Sequence, residues 1–458
     1  MYRTILAFIL NLSLLTVTTA FVSPPAQITN DQVILNFPET ATFRASFTGD
    51  SEIQSIVLEY GNEGQTCGEV IAKAFPQFTP GKAVTAEWTW EMRQSGSLPP
   101  GATLWWRWRV TDANGSETVS ETKTAIWLDD VHDWHTLNNG DYLRLHWYEG
   151  DQTFAIDLAK AAYSGLQFNE TNSGLKAEAP IDIYIYADTN DLKDAVLYEP
   201  SWTGGQAFPA QDIVILGISE HDLDWGRDAI VHEVTHVLVG HLTFSCLGDV
   251  PTWLNEGLAV YSEGELDSSS QRYLEEALQN DTLLTVRSLS AGFSEVSDKA
   301  YLSYSQSYSI TKFLIETHGQ QKMTSLLVGL RDGLPIDEAL SQTYGFNIDG
   351  LEDAWRQAIG ASPQPDSAQP TALPTPTFVP TIVPVSVLPF VPDQATPTAI
   401  PTSTFDDQPT PETTTRTAPP LWLTLTLLGF CCIFLVLIGV VMLGFVVRNQ
   451  NRPGGKNE

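Results

Sequence analysis

The sequence predicts a multidomain chain: an all-β module, then an α+β domain, an extended disordered stalk and one transmembrane helix. Three observations carry that prediction. Short β-rich runs broken by Gly, Pro, Asn and Asp recur between residues 27 and 128. From about residue 130 to 361, strand-like runs mix with helical periodicity. A Pro/Thr-rich stretch over 362–420 then gives way to an uncharged apolar run over 421–447.

Residues 1–20 open with Arg3, an apolar run from Ile5 to Leu15 and a small-residue site at Thr18-x-Ala20. This is the pattern of a secretory signal peptide. Within 27–128 the strand candidates are Val33–Phe37, Ala45–Phe47, Ile56–Tyr60, Val84–Trp90, Leu104–Val110 and Thr122–Trp127. Trp106, Trp108 and Val110 alternate with Trp105, Arg107 and Arg109, so one face can be buried. Asp112-Ala113-Asn114-Gly115 signals a hairpin. Six or seven strands in this length suggest an immunoglobulin or fibronectin-like sandwich. Its aromatic residues fill a core or bind a ligand such as a glycan.

The character changes around Asp129–Trp134. Tyr142–Tyr148, Ile181–Tyr186 and Ile213–Leu216 read as strands and Phe154–Phe168 as an amphipathic helix. Helical patterns dominate from Ser268 to Gly360, with Gly319, Gly333 and Gly345 as stops. The segment 362–420 cannot bury enough apolar surface to fold and favours extended polyproline II. Residues 421–447 are long enough to span a bilayer, and Arg448, Arg452 and Lys456 in the tail 448–458 mark the cytoplasmic side. The expected topology is a single-pass membrane protein with its N-terminal ectodomain outside the cell.

A formal charge of −31 argues against nucleic acid or an anionic lipid surface as a partner of the ectodomain. Of the four cysteines, Cys431 and Cys432 fall in the apolar span, leaving Cys67 and Cys246 outside. Those two can form a bridge or remain buried thiols, and the sequence leaves both open. It is equally silent on oligomeric state.

The chemistry is concentrated in one segment. His232, Glu233 and His236 form H-E-x-x-H, and Glu256 follows within W-L-N-E-G-L-A. Residues four apart on a helix share a face, so both imidazoles can reach one metal ion. Glu233 is rotated by about 100° from His232 and can act as a base toward water held there. Two imidazoles and one carboxylate leave a fourth position open, the layout of catalytic rather than structural zinc. Apart from Glu233 the residues flanking the histidines are uncharged, as in a helix buried on most sides.

The H-E-V-T-H run followed by P-T-W-L-N-E-G-L-A-V-Y, with nineteen residues between His236 and Glu256, resembles the gluzincin metallopeptidases. It is most similar to peptidase MA-like domains of bacterial cell surfaces, over roughly 130–361. The resemblance implies a zincin-like, thermolysin-like α+β fold with Zn2+ held by His232, His236 and Glu256 and Glu233 as general base. It also implies a downstream tyrosine or histidine stabilising the oxyanion. Tyr304 is the candidate, with Tyr301 and Tyr308 as alternatives and packing of the helix core as the competing reading. The G-x-M-E-N segment of the large aminopeptidases is absent. Glu263 is a candidate partner for a ligating imidazole, whereas His221 and His241 are expected to stand aside. Trp202–Phe208 is either an edge segment beside the cleft or a plain hairpin turn. The function expected is a membrane-anchored extracellular zinc peptidase acting on a peptide or protein substrate. The alternative is a catalytically silent surface adhesion protein.

Overall fold

The computed structural model describes residues 26–363 apart from 96–97, 129, 198–203 and 295. The expected signal peptide, span and tail, and the stalk beyond residue 363, lie outside the described residues. Among the described residues no helix is long and apolar enough to cross a membrane.

The N-terminal module comprises β1 (Gln27–Asn36), β2 (Thr40–Asn62), β3 (Ala72–Ala74), β4 (Gly81–Glu91), the single-turn helix α1 (Met92–Ser95), β5 (Ala102–Asp112), β6 (Glu117–Val119) and β7 (Lys123–Trp127). These seven strands form one hydrogen-bonded sheet, not the two separate sheets expected of an immunoglobulin or fibronectin-like sandwich. The cause is β2, which runs for 23 residues. It pairs with β1 and β4 along its first half and with β3 and β5 along its second. A register shift between Thr48 and Ile53 marks where it bends. Ala45–Phe47 and Ile56–Tyr60 are therefore parts of one strand. The polar Gly49-Asp50-Ser51 between them reads locally as a turn, but the backbone continues extended through it.

The two halves fold over each other. The Phe43 ring lies 5.7 Å from Tyr60 and 5.6 Å from Trp106, and Phe47 lies 5.4 Å from Trp108. Trp106, Trp108 and Val110 are buried in this core as their alternation predicts. Both indoles donate to Asp31 Oδ1, at 2.8 and 3.0 Å. On the other face of β5, Arg107 and Arg109 hold the buried Glu59 carboxylate. Burial alone would raise that carboxyl. Hydrogen bonds from Arg109, Arg107 and Lys73 outweigh it and hold the pKa at about 2.

The second part contains, in order, β8 (His135–Asn139), β9 (Leu143–Trp147), α2 (Gln152–Asn172), β10 (Ile181–Tyr186), α3 (Thr189–Ala195), β11 (Gly205–Phe208), β12 (Ile213–Gly217) and α4 (Leu223–Thr243). Its sheet has the order β11-β12-β10-β9-β8. The central three strands are parallel, and both edge strands are antiparallel to their neighbours. β10 and β12 are apolar on both faces because both faces are covered. Ile183, Ile185, Val214 and Leu216 meet the helices, whereas Tyr184, Tyr186, Ile213 and Ile215 join the core of the β module. The change of architecture near residue 129 thus lies within one compact unit.

Helices complete the domain: α5 (Thr252–Glu263), α6 (Ser268–Gln279), α7 (Ser297–His318), α8 (Gln320–Arg331), α9 (Ile336–Tyr344) and α10 (Ile348–Ile359). The predicted glycine stops are in place. Gly319 and Gly345 follow α7 and α9 with φ of +86° and +90°, where other residues would be strained. At the other ends Asp151, Asp267 and Asn347 cap α2, α6 and α10 by accepting backbone N–H groups.

Candidate metal centre

Ile230, Val234, Val237 and Leu238 anchor α4 in the core against α2 and the sheet. The face left over carries His232, Glu233 and His236 toward a cleft. A buried relay fixes the rotation of the helices. Asn169 of α2 donates to Thr235 Oγ1 at 2.8 Å, and Thr235 lies 2.6 Å from Ser262 Oγ of α5. Gly257 lets α5 press against α7. A Cβ there would fall 2.2 Å from Thr311 Oγ1 and 2.4 Å from the Ser307 carbonyl, so a side chain would push α5 away. Glu256 precedes it and points at the histidines.

His232, His236 and Glu256 offer three ligand atoms within 4.8 Å of one another. Glu256 Oε2 is 3.4 Å from His232 Nε2 and 3.5 Å from His236 Nε2. Two donors bound to one zinc at about 2.0–2.1 Å in tetrahedral geometry stand about 3.3–3.4 Å apart, so the set fits a single ion. The remaining ring nitrogens are occupied. His232 Nδ1 donates to Glu263 Oε1 at 2.6 Å, and His236 Nδ1 donates to Asn255 Oδ1 at 3.0 Å. Both bonds turn the Nε2 atoms toward Glu256.

The electrostatics fit a cation too. Burial depresses the His232 imidazole, but Glu256 and Glu263 outweigh it and raise its pKa well above the usual histidine value. Burial would raise Glu256, yet the two imidazoles hold it far below the carboxylate range. Glu233 behaves oppositely: burial pushes its carboxyl up.

The cleft has a volume of about 910 Å³. One wall is β11, whose residues pair only with β12 among the described strands. Of the predicted segment 202–208, Trp202 and Thr203 lie outside the described residues, and Gly205–Phe208 is an edge strand rather than a plain turn. Gly205 allows the close approach: a Cβ there would sit 2.5 Å from Leu216 Cδ2 and 3.1 Å from Glu233 Oε1.

Opposite, Tyr304 of α7 lines the cleft with its ring 6.3 Å from that of His232. Burial raises its phenol pKa, which keeps the hydroxyl a proton-bearing donor. Tyr301 also lines the cleft but is half exposed and stacks on Tyr273. Tyr308 is turned to Glu265, to which its hydroxyl donates at 3.0 Å.

His241 is turned away from the donors. Its Nδ1 accepts from the Glu178 N–H and its Nε2 donates to Asp212. His221 lies on a 3-10 turn outside the cleft lining. Asn255 is a site residue that the sequence reading did not single out, although a lone amide beside Glu256 in an apolar helix was a usable signal. Cys67 and Cys246 form a disulfide, which ties the β module to the loop between α4 and α5.

The sequence model of the peptidase MA superfamily matches residues 161–361. No curated protein matches the chain. Among solved structures, the chain is similar to an M1 zinc metallopeptidase from Deinococcus radiodurans, at 13% identity and a TM-score of 0.35, covering 72% of this chain and 92% of that one. It is also similar to aminopeptidase A from Legionella pneumophila, at 11% identity and a TM-score of 0.34, covering 72% of this chain and 50% of that one. A third likeness is to an aminopeptidase N family protein from Idiomarina loihiensis, at 11% identity and a TM-score of 0.34, covering 70% and 74%. The match assigns residues 161–361 to the peptidase MA superfamily.

Proposed function

We propose that the protein is a membrane-anchored extracellular zinc metallopeptidase that hydrolyses peptide bonds. The observation that carries this is the convergence of His232, His236 and Glu256, with the outer nitrogens of both imidazoles already satisfied, beside Glu233, which has no hydrogen bond or ion pair among the described residues. A zinc ion held there supplies a Lewis acid that acidifies water and polarises a carbonyl. Glu233 takes the proton of the attacking water as its oxygen bonds to the carbonyl carbon. As the C–N bond breaks, the same carboxyl returns the proton to the leaving amine. The Tyr304 hydroxyl donates to the carbonyl oxygen as negative charge develops on it. The edge of β11 away from β12 pairs with the substrate backbone and orients the scissile bond along the cleft.

Membrane anchoring is supported by the 421–447 run and the basic residues after it. The test is cleavage of a mixed peptide library by the full-length protein, with and without a chelator. Peptide hydrolysis that stops with chelation and returns with zinc is expected. Zinc-loaded protein that binds peptides but cleaves none would support the silent binding protein instead.

A further inference from the structure

We propose that Trp225 and Asp228 form a specificity subsite for a lysine or arginine side chain, so that the protein favours cationic peptides. The inference rests on the peptidase reading and names the substrate class of that same cleft.

Trp225, Asp228, His232 and His236 stand at i, i+3, i+7 and i+11 of α4, which places them on one face. All four line the cleft. Along the helix axis Asp228 lies about 6 Å and Trp225 about 10 Å from His232. An extended peptide covers that distance in two to three residues. A side chain near the scissile bond therefore reaches both groups.

Trp225 is 45% exposed although it is large and apolar. Its six-membered ring leans on Gly204 at the head of β11, where a Cβ would come within 2.8 Å of it. An indole held open at the end of a substrate cleft offers a π surface to a cation.

Asp228 has no hydrogen bond or ion pair among the described residues. The one adjacent base, Arg227, is held by Asp224 and Asp157. Glu263 of α5, Asp224 of its own helix and Asp267 before α6 all add negative potential at Asp228. Partial desolvation in the cleft, then Glu263 and Asp224, push its carboxyl pKa up, outweighing the lowering by Arg227.

The cleft as a whole has the same sign. Its described lining includes six carboxylates and neither a lysine nor an arginine. Five of these have other tasks. Glu233 and Glu256 face the metal centre, Glu263 holds His232, Glu265 pairs with Lys312, and Asp267 caps α6. Asp228 alone is left to receive a ligand. A cationic side chain there gains a carboxylate and an aromatic surface together, and an anionic one is repelled.

The test separates binding from turnover by using full-length, zinc-loaded protein carrying Glu233→Gln. Labelled peptide pairs that differ only in lysine against norleucine, at each position along the peptide, are compared by fluorescence anisotropy. At one position the lysine peptide should bind about tenfold more tightly at low salt, with the ratio shrinking at high salt. Adding Asp228→Asn should bring the ratio to about two or less, and Trp225→Leu should lower it too. Glu275→Gln, which removes an exposed charge outside the cleft lining, controls for net charge. Equal binding of each peptide pair would overturn the subsite, as would a ratio that Asp228→Asn leaves intact or that Glu275→Gln lowers as much. A lysine preference that depends on Asp228, in a wild-type protein that cleaves nothing, would keep the subsite and remove the peptidase reading.

Discussion

Glu263 offers a sensitive perturbation of the metal centre because it touches only the far side of one imidazole. Its Oε1 accepts from His232 Nδ1 at 2.6 Å, and its side chain is 28% exposed, so removal opens no sealed cavity. Glu263→Ala frees the ring to rotate and withdraws the charge that makes its Nε2 a strong donor. Loss of such a partner typically weakens metal binding by about 10–100-fold, or about 1.4–2.7 kcal/mol. Glu263→Gln keeps an oxygen acceptor but loses the charge, so its loss should be smaller than that of the alanine variant. The assay is competition for zinc with a chromophoric chelator at constant neutral pH, alongside circular dichroism to verify the fold. Zinc held by Glu263→Ala as tightly as by the wild type would refute the reasoning that this bond orients His232.

Tyr304→Phe should lower kcat by about 10²–10³ with little change in KM, because the hydroxyl bond strengthens only in the transition state. Unchanged turnover would shift the role to Tyr301, since Tyr308 is committed to Glu265. Glu59 is held at about 2 in the folded protein, against an ordinary value of 4.5, so its contribution to stability is complete above pH 4.5 and is lost as pH falls toward 2. Denaturant melts at several pH values should show a wild-type advantage over Glu59→Gln that shrinks across that window, and a constant gap would contradict the ion-pair account. Converting Cys67 and Cys246 to serine should cost about 2–5 kcal/mol, the usual range when a native bridge closing a long loop is removed. A melting temperature equal to that of the wild type would show that the bridge does not constrain the unfolded chain.

The donor set was legible because helical spacing is local: four residues bring two imidazoles to one face wherever the helix sits. The ends of α7 and α9 were legible for the same reason, since Gly319 and Gly345 fix them within a residue or two. What the sequence hid is non-local. The four residues of β11 have no apolar alternation, and they are a strand only because β12 lies beside them. The length of β2 was masked by the polar residues at its bend. Pairing of Cys67 with Cys246 depends on contacts across 179 residues. The double covering of β10 and β12 removes the polar face that would have shown which side meets the β module. Trp225 and Asp228 carry no local signal of a cleft, and the placement of α4 along it is what brings them there.

Glu233 is the group on which the proposed mechanism most depends: its carboxyl lies at the cleft beside the donors and accepts no hydrogen bond among the described residues. Glu233→Gln has the same size but cannot take the proton of water at neutral pH. Zinc content by elemental analysis and hydrolysis of a susceptible peptide should be measured on the same preparations of wild type and variant. One zinc per chain is expected in both proteins, with a turnover lower by about 10²–10⁴ in the variant. Equal hydrolysis by a fully zinc-loaded Glu233→Gln protein would contradict the mechanism.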